Sequence, residues 1–231
     1  MTSHTLSKKA RTQMILRALL APVLMVGLLF LVAGTWHYWQ AWVYLIINMI
    51  LLALMSTVLS PNAELVEERL NPKQGMKGWD KFYFAVTTPM YVIALLLAGL
   101  DQRFGWTTNM PLAIYWTSVI VYILGQAIFQ WARYTNQYFS SVVRIQTDRG
   151  QTVCKEGPYK YVRHPGYVGG FLFTITIGLV LGSWYASIPQ VIAALMLVWR
   201  TGREDRALQA ELPGYAEFAN ETRYRLLPGV W

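Results

Sequence analysis

Six apolar runs separated by short polar segments constrain this chain more than any other feature. They cover roughly residues 14–34, 41–60, 82–100, 110–131, 166–182 and 186–203. Several approach the ~20 residues a spanning helix needs, and only 14% of the chain is charged, against about a quarter in soluble domains. The pattern predicts an all-α, polytopic integral membrane bundle of about six helices. The uncharged cores of the last two, Tyr167–Gly182 and Ser183–Trp199, give about 25 Å at 1.5 Å per residue. That is just under the ~30 Å hydrocarbon core, so they read as a tight hairpin that spans with the help of its interfacial ends. The first run exceeds a signal peptide's apolar region and no Ala-x-Ala site follows, so it reads as a retained anchor.

The basic residues fix the orientation. With the N-terminus placed in the cytoplasm, every lysine and arginine except Arg103 falls on the cytoplasmic side, as the positive-inside rule requires. Both termini are then cytoplasmic, in an inner or plasma membrane. A basic face beside anionic lipid accounts for the net charge of +8 without nucleic acid. The single Cys154 excludes an intramolecular disulfide and reads as a packing residue. The outer turns are short: an aromatic belt at Trp36–Trp42, a turn at 101–109 with Trp106 as an anchor, and Ser183–Tyr185. The inner segments are long. A partial apolar stripe at Leu65, Val66 and Leu70 predicts a short interfacial helix before Asn71-Pro72, and the last long helix is expected to run to about Leu212, where Pro213-Gly214 stops it.

The suggestive chemistry lies in two cytoplasmic segments, 133–167 and 200–231, and a short hairpin must bring Tyr167 and Arg200 together. Gly157 to Tyr167 packs Lys160, Arg163, His164 and three tyrosines at the mouth of an apolar run, where polar groups are costly and usually functional. Pro165 suits the first turn of a helix, whose free N–H groups attract negative charge. Gly166, Gly169 and Gly170 serve either helix packing or close approach of a ligand. Arg200 and Glu204 share one helix face, either as an i,i+4 ion pair or as holders of a polar cofactor. The three histidines, His4, His37 and His164, lie far apart, which argues against a histidine metal site. Phosphate-binding glycine loops and a nucleophile elbow are missing.

Gly157-Pro158-Tyr159, Val162-Arg163-His164-Pro165, Tyr167 and Gly169 together resemble the isoprenylcysteine carboxyl methyltransferase family. Glu204-Asp205, Gly214-Tyr215, Phe218, Arg223, Arg225 and Leu227-Pro228-Gly229-Val230-Trp231 extend the likeness, with Asn136 and Phe139-Ser140 upstream. Asp205 departs from the family's usual second glutamate. The resemblance covers roughly 131–231 and implies four anchoring helices in 1–131 followed by a catalytic region in 132–231. It implies S-adenosylmethionine in a cytoplasmic-face pocket formed by Gln151, Val153, Gly157, Pro158, Tyr159, His164, Pro165, Tyr167, Gly169, Glu204 and Tyr215. Arg163, Arg200 and Glu204 are its candidate catalytic residues, and Asn136, Arg200 and Arg225 its candidate substrate contacts. A lipophilic small molecule or a prenylated substrate enters from the bilayer, with no metal and no nucleic acid involved, and the reaction is carboxylate O-methylation. The same residues leave open a phospholipid amine N-methyltransferase or a membrane reductase using a nicotinamide cofactor. A transporter is disfavoured, because 14–131 shows no row of ionisable residues for an ion pathway.

Overall fold

The computed structural model describes residues 8–58 and 75–231; the interfacial helix expected near Leu65–Leu70 lies outside them. The described residues form helices and no strand. They are α1 (Lys8–Ala33), α2 (Trp39–Val58), α3 (Gly78–Phe104), α4 (Leu112–Thr135), α5 (Pro165–Val180), α6 (Trp184–Glu211) and α7 (Tyr215–Glu221), with 3-10 turns at Thr147–Arg149 and Gly157–Lys160. Helices α3 and α4 are long and apolar enough to cross a membrane; α5 and the apolar parts of α1 and α2 are shorter. The packing order follows one path: α2 against α1, α1 against α3, α3 against α6, α6 against α5, α5 against α4.

Helices in lipid gain little from burying apolar surface, so close packing of small residues holds them together. The α4–α5 contact shows this. A Cβ on Gly125 would lie 2.7 Å from the Phe173 nitrogen, and one on Gly169 2.5 Å from the Phe129 nitrogen. Gly169, a cofactor contact by the sequence reading, therefore serves helix packing here. The belt around Trp36–Trp42 divides similarly. Trp36, Trp39 and Trp42 stay exposed, while Tyr38 is buried and donates to the Leu181 carbonyl in the α5–α6 turn.

A buried carboxylate fastens the end of the bundle that the charge count places outside. Asp101 accepts from the Thr107 backbone and hydroxyl, both at 2.6 Å, and from the Ser183 hydroxyl. Ser183 also caps α6, accepting from Ala186 N at 3.0 Å. The α5–α6 hairpin is thus tied to the end of α3. Helix α6 then runs unbroken past the last apolar turn to Glu211, carrying its polar C-terminal third to the opposite end. There Leu212 and the left-handed Gly214, φ 80°, turn the chain into α7.

Gly169→Ile should destabilise the protein by at least ~3 kcal/mol, the upper end of ordinary overpacking, because the obstruction is backbone. Gly27→Ala, where nothing lies within 4 Å, should be neutral or stabilising by about 0.5–1 kcal/mol. Thermal unfolding of both variants in detergent checks the contrast.

Candidate active site

The site is built around two buried carboxylates, Asp205 and Asp80, both at 0% exposure. Asp205 sits on α6 beyond its apolar run. One of its oxygens, Oδ1, accepts from Arg163 Nε at 2.7 Å and Tyr215 Oη at 3.1 Å, and lies 3.1 Å from His164 Nε2. The other, Oδ2, accepts from Arg163 Nη2 at 3.0 Å, and from Arg225 Nε and Gln209 Nε2 at 2.7 Å each. Burial pushes this carboxyl up, but the hydrogen bonds from His164 and Arg163, the charge at His164 and the Arg225 hydrogen bond outweigh it and hold it well below the usual range. The Arg163 Nη1 group donates to the carbonyls of Thr222 and Arg223 at 2.9 and 2.7 Å, so all three of its nitrogens are engaged. Backbone bonds from Arg163 N and His164 N to the carbonyls of Tyr224 and Arg225, at 2.9 and 3.0 Å, lay the tail along this segment.

The preceding turn is seated on the end of α4. Gly157 adopts φ +53°, and a Cβ there would meet Thr135 Oγ1 at 2.8 Å. Pro158 and Tyr159 are buried. Tyr159 donates to the Ala132 carbonyl at 3.3 Å and accepts from Asn136 Nδ2 at 3.4 Å; burial pushes its phenol up. Pro165 opens α5 as its first residue. Behind it His164 stacks on Tyr167, ring centroids 5.7 Å apart.

The second carboxylate, Asp80 in the first turn of α3, receives Arg200. Nε lies 2.7 Å from Oδ1 and Nη2 3.2 Å from Oδ2. The local i,i+4 pair between Arg200 and Glu204, one of the two readings of their spacing, does not form. A buried carboxylate aligned with the guanidinium fork offers two bonds where a neighbour one turn away offers less, and Glu204 instead accepts from the Tyr167 hydroxyl. Asp80 Oδ2 also accepts from Val143 N at 2.8 Å, and Arg200 Nη2 donates to the Ser141 carbonyl at 3.1 Å. One ion pair therefore orients the arginine and clips the 141–143 backbone over the site. The rings of Tyr83, Phe84 and Tyr167 surround the guanidinium, with Cζ 4.6, 5.1 and 5.4 Å from their centroids. No acceptor among the described residues meets hydrogen-bond geometry at Arg200 Nη1, although the Tyr83 hydroxyl lies within reach of the guanidinium.

These groups enclose a cavity of about 410 Å³. Of the residues singled out from sequence, Asn136, Gln151, Val153, Tyr159, Arg163, His164, Tyr167, Arg200, Glu204 and Tyr215 line it. Gly157, Pro158, Pro165, Gly169 and Arg225 stand behind the wall. The sequence reading missed Asp80, Tyr83, Phe84, Thr87, Thr88 and Tyr91, all on α3. The available signal was a lone carboxylate between Lys77 and Lys81 at the threshold of an apolar run. Among the described residues no three His, Cys, Asp or Glu side chains converge on a metal position.

Two predictions follow from the carboxylates. Asp80→Ala should cost about 3 kcal/mol by stranding a buried cation, and Arg200→Met added to it should recover part of the loss; melts across the double-mutant cycle measure this. The Asp205 carboxyl is depressed in the folded state, so its stabilisation is complete above the ordinary aspartate value of ~3.9 and is lost as pH falls through the folded value. The melting-temperature gap between wild type and Asp205→Asn should stay constant from neutral pH to about pH 5 and narrow only in stronger acid.

Residues 118–210 match the isoprenylcysteine carboxyl methyltransferase family. The protein-S-isoprenylcysteine O-methyltransferase of Schizosaccharomyces pombe is 30% identical over 82 residues, 35% of either chain. The Dictyostelium discoideum protein of the same name is 24% identical over 98 residues, 41% of either chain. The chain thus matches about a third to two-fifths of the length of these relatives. The matched stretch runs from the middle of α4 through the Arg163–His164 segment to the end of α6 and carries Arg200, Glu204 and Asp205. Over that stretch the chain is similar to the isoprenylcysteine carboxyl methyltransferase family.

Proposed function

We propose that this chain is an integral membrane methyltransferase that moves a methyl group from S-adenosylmethionine to the carboxylate of a lipophilic, isoprenylcysteine-like acceptor. In this reading α1 to α6 are six spans, with both termini and the cavity on the cytoplasmic side. Residues 1–131 anchor and 132–231 form the catalytic region, to which α3 lends one wall. The relatives' names give the acceptor class. The observation that carries the choice is Arg200: a cation fixed by Asp80, ringed by aromatic faces, with one nitrogen left for a ligand.

The wall suits the cofactor. Asn136, Gln151, His164 and Glu204 offer hydrogen-bonding groups, and Val153, Leu208, Leu212 and Phe218 an apolar surface, the mixture that holds small molecules. When bound, S-adenosylmethionine supplies an electrophilic methyl carbon. Glu204 is committed to Tyr167 through only one oxygen, which leaves the other to accept from a ligand hydroxyl or favour a cationic ligand. A carboxylate acceptor is ionised at neutral pH and needs no base. Arg200 Nη1 holds it, the aromatic ring limits access of water, and the 141–143 strap keeps Arg200 in place, since displacements of an ångström are costly in such reactions. An amine acceptor, by contrast, meets a fixed cation. A dinucleotide needs several cations, yet Arg163 and Arg144 are already paired with carboxylates, Asp205 and Asp148. In this assignment Arg163 and Arg225, held by Asp205, are positioning residues, and Arg200 and Glu204 touch the ligands.

Calorimetric titration of S-adenosylmethionine and S-adenosylhomocysteine into detergent-purified protein tests the reading, with methyl transfer to S-prenylated N-acetylcysteine measured alongside. Glu204→Ala should weaken cofactor binding at least ~10-fold, the loss of one hydrogen bond to a charged group. Arg200→Lys should keep cofactor affinity but lose at least ~10-fold in kcat/KM, because a point charge does not replace the fork held by Asp80. Absence of binding to either ligand in folded protein sinks the proposal.

A further inference from the structure

Helices α3 and α6 pack together, and each carries an apolar row on its outer surface. On α6 the row is Ile188, Ile192, Leu195 and Trp199, spaced so that the residues share one helix face. The first three are exposed and Trp199 is half-buried. The same face continues as Arg203 and Arg206, both exposed. On α3 the row is Phe82, Pro89 and Ile93, all exposed. Trp199 joins the two rows: its ring meets Phe82 edge-on at 5.9 Å and Trp79 at 6.2 Å. The Arg203 guanidinium lies over it, with Cζ 5.4 Å from the ring centroid. The acidic groups of these two helix ends are committed elsewhere: Asp80 to Arg200, Glu211 to Lys77, Glu204 to Tyr167 and Asp205 to Arg163. Among the described residues neither Arg203 nor Arg206 forms an ion pair.

We propose that the outer seam between α3 and α6 seats one anionic phospholipid, with its phosphate at Arg203 and Arg206 and its acyl chains along the two apolar rows. This rests on the membrane reading above and not on the transfer chemistry. Ile188 to Trp199, and likewise Phe82 to Ile93, is eleven residues, about 16 Å at 1.5 Å per residue. That is half of the ~30 Å hydrocarbon core, the depth of one leaflet. Trp199 then stands at the interface, where aromatic rings gather, and the arginines stand at headgroup level, stems on apolar surface and charges in water. Two like charges one turn apart on a helix repel, and an anion between them relieves the repulsion. The guanidinium fork matches phosphate geometry. A zwitterionic headgroup brings a cation of its own to this pair, so the seat selects by net charge. A lipid lying across the seam ties from outside the two helices that Asp80 and Arg200 tie from inside.

The test is native mass spectrometry of protein released from bilayer nanodiscs made of equal parts phosphatidylglycerol and phosphatidylcholine, with thermal melts in discs of each lipid alone. Wild type should retain phosphatidylglycerol over phosphatidylcholine by at least ~10-fold and melt higher in phosphatidylglycerol. Arg203→Gln and Arg206→Gln should each cut the preference about 5-fold, which is the ~1 kcal/mol a basic residue gains at an anionic surface. Lys155→Gln, which removes a positive charge paired with Glu221 away from the seam, should leave the preference unchanged. Equal retention of the two lipids by wild type overturns the proposal. So does a preference that survives both arginine substitutions, or one that Lys155→Gln lowers as much as they do. Glycerol 3-phosphate added in detergent should not reproduce the melting shift; if it does, the arginines bind a free phosphate and the lipid seat is overturned. A lipid preference in protein without methyl transfer keeps the seat and retires the transfer reading. Folded protein that does not enter the discs retires the membrane reading and the seat together.

Discussion

The site depends on the charge at Asp205. A fully buried carboxylate is expensive unless its lone pairs are filled, and here both oxygens are filled, by groups from four parts of the chain: the 163–164 segment, α6 itself through Gln209, α7 through Tyr215 and the tail through Arg225. Apart from α6, none of these segments is long enough to build a core. Their apolar cluster, around Tyr159, Leu212, Tyr215 and Phe218, is small. The carboxylate supplies the specific tie that such a cluster lacks, and a network of this kind holds only while every member is satisfied. The shorter aspartate, where the resembling family has glutamate, suits an oxygen pair drawn in towards α6 with two arginines closing on it.

Adjacent residues on a helix point about 100° apart, so Glu204 and Asp205 serve different clients. Asp205 faces the tail and is consumed by structure, whereas Glu204 faces the cavity and retains an oxygen. The arginines divide in the same way. Arg163 spends its whole fork on Asp205 and tail carbonyls. Arg200 spends two of three nitrogens on Asp80 and Ser141. In the proposed reading, that difference separates the positioning arginine from the one that meets the ligand.

That distinction bounds what the sequence made legible. The apolar runs located the helices, because a period of twenty apolar residues has few other uses. The convergence of His164, Tyr167, Arg200 and Glu204 followed from a short hairpin with both ends on one side. Pairing was not legible. The i,i+4 spacing of Arg200 and Glu204 pointed to a local bond, yet Asp80, 120 residues away, has the better geometry. Glycine roles were not legible either: Gly166 and Gly169 are three apart, but only Gly166 borders the cavity, and Gly169 is pressed against α4. Hydropathy also hid the α3 stripe, since Tyr83, Thr87 and Tyr91 read as part of an apolar span.

The two ends of the bundle explain why the polar chemistry gathers at one of them. At the other end Asp101 is satisfied by Thr107 and Ser183 from two short turns, with no ion pair to it among the described residues. A neutral hydrogen-bond cage fastens helices without leaving anything over. At the site end, α6 extends more than two turns past its apolar run, and the loop of 136–154 folds over it. Together they make a shell deep enough to exclude water from an ion pair yet wide enough to keep a cavity. Charge–charge attraction strengthens as water is removed, so an arginine held there is rigid and its remaining nitrogen is strongly directed. Placing that nitrogen where the polar chamber meets the α3 wall makes one residue the junction between the two. In the proposed reading, a ligand with an anionic head and an apolar tail fills both sides of that junction at once.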